Sequence, residues 1–277
     1  LTGDTTFNTG DGNVVLASLI GGGHAATVVA GNTSLGNVAN AGGVAVNGAA
    51  TLTGSSYSGS SFAFGGPVAL THDPTLGATG AITLASLDGG GNDLAVTSGT
   101  ASLGNVANAG ALSVTGPATL TGTSYVAGSI GLGATTLTGN TTLDTSAANG
   151  AISVASVDGT TAGGQSLGIN AGSGSVSLGN LGAATRMGAV SDASKTTLTG
   201  STYNANSFLF GGDVTLTSAN TTLNTTQSAS AAGGITFQGD LFGTTDGGQS
   251  LTLTAGPGTG AASANGDILL QNAGTTA

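Results

Sequence analysis

The chain has no cysteine, no tryptophan and only two basic residues, Arg186 and Lys195, in 277 positions. Without Cys there is neither a disulfide nor a thiolate metal site, and the redox compartment leaves no mark on the sequence. All twelve acidic residues are Asp. The net charge of −10 excludes the basic surface by which proteins hold nucleic acids or anionic membranes. No apolar run is long enough to span a bilayer and no signal peptide is seen, so the chain, which starts at Leu1, reads as a slice of something longer. Charged residues make up 5% and apolar ones 38%, the reverse of the high-charge, low-hydrophobicity signature of disorder.

What the chain does have is repetition. The nonapeptide Ser-Leu-Gly-Asn-Val-Ala-Asn-Ala-Gly at 34–42 returns at 102–110, 68 residues later, and more loosely as Ser177-Leu178-Gly179-Asn180-Leu181-Gly182. Leu-Thr pairs at Leu1, Leu70, Leu137 and Leu216 open four super-repeats, 1–69, 70–136, 137–215 and 216–277, which form a single array. Short segments such as Ile82-Thr83-Leu84, Leu112-Ser113-Val114 and Val176-Ser177-Leu178 alternate apolar and polar residues, the two-residue period of a strand, and each is closed by Gly, Asn-Gly or Asp-Gly. No window carries a 3.6-residue apolar pattern with caps, so essentially no α-helix is expected. In the second copy the landmarks Leu70, Ile82, Leu103 and Leu120 follow at gaps of 12, 21 and 17, and Leu137 lies 17 beyond. Reading each landmark as one coil predicts an all-β parallel β-helix, or β-solenoid, of about sixteen coils, four per super-repeat, forming a rod on the order of 75 Å.

The residues with chemistry are few. Asn37, Asn105, Asn180 and Asn272 recur at one point of the cycle and are expected to shape turns, since Asn tolerates left-handed backbone and bonds neighbouring amides. Tyr57, Tyr125 and Tyr203 each lie three residues after the Gly of a Thr-Leu-Thr-Gly; they are expected to cover a turn, with surface ligand binding as the alternative. Phe62, Phe64, Phe208 and Phe210 are replaced in the second copy by Ile130 and Leu132, which points to interior packing. The Asp-Gly pairs read as turn chemistry, and no Asp recurs in every coil as a calcium-binding nonapeptide would require. No catalytic, cofactor-binding or metal-binding residue is assigned. Arg186, Lys195, His24 and His72 are too scattered to converge with Asp into an acid–base pair, so polysaccharide cleavage is disfavoured. Ice binding by outward Thr pairs, such as Thr51 with Thr53, would need them in nearly every coil, and they recur about once per super-repeat.

Segments 80–89, 197–203, 210–217 and 247–256 together resemble the repeat arrays of very large bacterial exoproteins of the filamentous haemagglutinin type. The resemblance implies a right-handed parallel β-helix, secreted through or held at the outer membrane, that serves as an adhesin stalk or a surface and matrix fibre. On this reading the chain is a non-enzymatic structural or adhesive rod, extracellular or on the bacterial surface. Its expected contacts are end-to-end copies or continuation in a longer chain, and a host or glycan surface. An ice-binding or glycan-binding β-helix is the alternative.

Overall fold

The computed structural model describes residues 1–226, 233–245, 247–256 and 267–270. Over these residues the chain is a β-solenoid: short strands lie parallel on those of the preceding turn, and no helix occurs among the described residues. The alternation is the cause. In Ala81–Asp88, Ile82 and Leu84 are buried while Thr83 faces out. After Leu84 the pattern slips by one residue to bury Leu87, and there the chain passes from one interior column to the next.

The chain divides into two compact units, Leu1–Gly133 and Ala134–Ala277. In the first unit each turn has three faces, and on each face a column of interior side chains runs from turn to turn. The first holds Val14, Thr33, Ala50, Val68, Leu87, Val106 and Tyr125. Leu19, Val38, Tyr57, Leu76, Val96, Val114 and Leu132 make the second. Phe7, Val28, Val46, Phe64, Leu84, Leu103 and Leu120 make the third. Nearly all are fully buried, and each aliphatic side chain so placed contributes about 1.5–3 kcal/mol of transfer free energy.

The second unit repeats the scheme. One column is Leu143, Ile169, Asp192, Phe210 and Phe237; a second is Val154, Leu178, Leu198 and Leu216; the third is Val157, Leu181, Tyr203, Leu223 and Leu253. Phe62, Phe64, Phe208 and Phe210 are interior, as expected: Phe62 stacks on Phe64, Phe208 on Phe210, and Phe210 on the buried Phe237 at 5.1 Å between ring centres. Asp192 is the exception, a carboxylate in an apolar column.

The solenoid has about twelve turns rather than sixteen. Sequence landmarks are not turns. Ile82 lies one residue-pair from Leu84 on the third column, whereas Leu70 stacks below Leu52 on the first face, so the gap between these landmarks is less than a turn. Turn length also varies: 17 residues from Leu35 to Leu52, 19 from Leu16 to Leu35, 24 from Val154 to Leu178 and 30 from Leu223 to Leu253. In the 24-residue turn extra residues fall in the corner 160–166, between the strands Ile152–Gly159 and Leu167–Asn170, where they leave the ladder undisturbed.

A second correction follows from the columns. Four whole turns would stack Leu103 beneath Leu35 on one face. Instead Leu35 lies with Leu16, Leu52 and Leu70 on the first face, and Leu103 lies with Leu84 and Leu120 on the third. The 68-residue repeat completes three turns and two further faces, so equivalent motifs occupy different faces.

Candidate functional site

The polar group that recurs most faithfully is a corner built from Gly, Asn and Tyr. Gly36 passes so close to the preceding turn that a Cβ there would lie 1.8 Å from the Ala17 carbonyl oxygen; at Gly104 the same distance separates it from Ala85 O. No side chain fits. The next residue, Asn37, turns outward, and its Oδ1 accepts from the amides of Ser55 at 2.8 Å and Ser56 at 3.1 Å in the following turn. Asn105 does the same for Thr123 and Ser124, and Asn180 for Ser201 and Thr202. These asparagines act through the side-chain amide; the left-handed backbone expected of them occurs at Asn40 and Asn108, both at φ 51°. Asn272 lies outside the described residues.

Each tyrosine closes the same corner from inside. Tyr57 Oη donates to Leu35 O at 2.7 Å and accepts from Gly54 N at 2.9 Å. Tyr125 joins Leu103 O to Gly122 N, and Tyr203 joins Leu178 O to Gly200 N. All three are at most 1% exposed. The surface-binding role considered for Tyr57, Tyr125 and Tyr203 is therefore corrected: the rings face the core and their hydroxyls are spent on backbone. Burial pushes their phenols up, that of Tyr125 to about 12. A Tyr three residues after Gly is the sequence signal for this bond.

The ionisable groups do not form one centre. His24 faces Asp4 at 3.8 Å in one turn and His72 meets the Thr71 hydroxyl in another, while Lys195 lies 3.7 Å from Asp213 on the surface. No cluster of three or more His, Cys, Asp or Glu side chains suited to a metal occurs among the described residues. Asp192 is 1% exposed; its carboxylate accepts from Ser194 N at 2.9 Å and from the Thr196 hydroxyl, and burial raises its pKa to about 6.

Arg186 stands apart. The corner before it, from Gly182 at φ 62° to Thr185, is pinned by Asp158, whose Oδ1 accepts from Ala184 N at 2.8 Å and Thr185 N at 2.9 Å. The Arg186 Nε donates to Asn206 Oδ1 at 3.0 Å and Nη2 to Ala205 O, which lays the guanidinium against the strand Thr202–Phe210. Partial burial lowers its pKa. Arg186 lines a cavity of about 480 Å³ with Gly182, Thr185, Asn204 and Asn224. Sequence reasoning named Arg186 only as an improbable catalytic residue; the cavity arises from corner geometry that strand periodicity does not encode.

No protein-family model matches the chain, and no curated protein or solved structure matches it either. The fold places it in the class of β-solenoid repeat proteins.

Proposed function

We propose that the chain is a non-enzymatic structural or adhesive element, a segment of a secreted bacterial surface or matrix fibre. One observation carries this reading: the recurrent polar residues serve the scaffold itself. Asn37, Asn105 and Asn180 hold the next turn, and the three tyrosines bond carbonyls of the preceding turn, so each of these turns secures its neighbour. Such nearest-neighbour bonding lets an array lengthen without new chemistry. The exposed face of the strands is furnished mainly with small Ala, Ser, Thr and Gly side chains, which suits repeated shallow contact better than turnover of a substrate.

Immunogold labelling of unpermeabilised source cells with antibody to residues 1–133 is expected to decorate surface or matrix fibres. Label that appears only after permeabilisation would overturn the proposal. Ice binding gains less support, because the outward positions do not form a threonine column: Thr51 lies between Ser34 and Ala69. In addition, the Thr121 and Thr199 hydroxyls bond the backbone of the preceding turn.

A further inference from the structure

We infer that the cavity beside Arg186 binds a carboxylate-bearing sugar, of uronate type, as one residue of an acidic polysaccharide. The inference goes beyond the structural role above and does not depend on it, since the site lies within one unit and needs no assembly.

Its first support is an unneutralised cation. Arg186 forms no ion pair among the described residues, and its bonds to them use only Nε and one Nη2 hydrogen, leaving Nη1 without a partner there. The two bonds it does make, to Asn206 Oδ1 and Ala205 O, fix the guanidinium plane before any ligand arrives, and a fixed guanidinium fork favours the planar two-oxygen geometry of a carboxylate. The Asp158 carboxylate, which pins the corner before Arg186, accepts from the Ala184 and Thr185 amides, and Asp192, six residues after Arg186, is buried in the interior column.

The second support is the pair of asparagines on the same wall. Asn204 and Asn224 are register partners in adjacent turns. Asn204 Nδ2 donates to Gly182 O at 3.0 Å, which leaves its Oδ1 as an acceptor; Asn224 Oδ1 accepts from Thr226 N and Oγ1, which leaves its Nδ2 as a donor. One free acceptor and one free donor beside a cation match adjacent sugar hydroxyls next to a carboxylate. Small residues, Gly182 and Ala184 among them, leave room for a ring, and about 480 Å³ lies within the usual 300–1,000 Å³ of small-molecule sites. The net charge of −10 opposes a long run of ligand charges, so the cavity takes one acidic residue at a time.

The test is isothermal titration calorimetry of the full chain with trigalacturonate, its methyl ester and triglutamate. The acid is expected to bind in the millimolar range or tighter, and the ester about tenfold or more weakly, having lost the charge that Arg186 meets. Arg186→Gln and Asn224→Asp are each expected to weaken the acid by about tenfold or more. Asn224→Asp keeps the acceptor for Thr226 while placing a carboxylate in the cavity that Arg186 lines, and its circular dichroism should remain native. Absence of binding by the acid, equal binding by the ester, or equal binding by triglutamate would each overturn the inference. The ester comparison uses the unaltered protein, so it decides even where a variant does not fold.

Discussion

The hydroxyl of Thr196 donates to Oδ2 of Asp192, a carboxylate stacked between Ile169 and Phe210 in the interior of the second unit. Its pKa of about 6 exceeds the ordinary 3.8, because burial penalises the charge more than the Thr196 and Ser194 bonds relieve it. Between those values the folded chain holds a proton that the unfolded chain releases. This group's contribution is therefore complete below about pH 3.8 and is lost as pH rises to about 6, by on the order of 3 kcal/mol. Asp192→Asn is expected to remove that slope while keeping an acceptor for Ser194 N, and Thr196 can turn to Ser194 O at 3.2 Å. Urea midpoints of both proteins at pH 4 and pH 7 measure it; parallel profiles would refute the assignment.

Tyr125→Phe leaves the Leu103 carbonyl and the Gly122 amide without the phenolic oxygen that joins them. The expected loss is about 1–3 kcal/mol, read as a lower denaturation midpoint, with Tyr57→Phe behaving alike. A loss close to zero would mean that water replaces the hydroxyl.

Glycines separate into those the ladder requires and those it does not. Gly104→Ala forces a methyl against Ala85 O and is expected to cost several kcal/mol, about 3 or more, whereas Gly3→Ala meets nothing within 4 Å and should change stability by about 0.5 kcal/mol or less. Thermal melts of the two variants compare them directly.

Thr33 carries a buried hydroxyl with no hydrogen-bond partner in the first column, between Val14 and Ala50. Thr33→Val keeps the shape and removes the unsatisfied group. A gain of about 1 kcal/mol is expected in chemical denaturation.

Salt should matter little. The two ion pairs among the described residues are exposed, and buried aliphatic columns and backbone ladders are not screened, so melting should shift by about 2 °C or less between low and high NaCl. A steep rise with salt would expose charge repulsion that the sparse surface charges do not suggest.

The strand content and the inward set were legible because alternation at period two is local: Ile82, Leu84, Val176 and Leu178 are all buried as their spacing implies. The stacking of turns was not, because it depends on how many residues each corner consumes. Leu70 and Ile82 look like successive rungs in sequence yet belong to different faces. The Asn and Tyr positions were found by their recurrence, but which way Tyr57 points follows from a one-residue slip at the corner. Arg186 lacked any signal beyond its rarity.

The mismatch between the 68-residue repeat and the turn acts as an indexing device. Excising one complete turn within the first unit, so that Leu16 meets Leu52, would leave every later strand in its own column. Excising one complete repeat would advance all later strands by a face and set residues shaped for one column into another. Tolerated changes in length should therefore come as whole turns, and the unit of sequence duplication is out of phase with the unit of structural replacement.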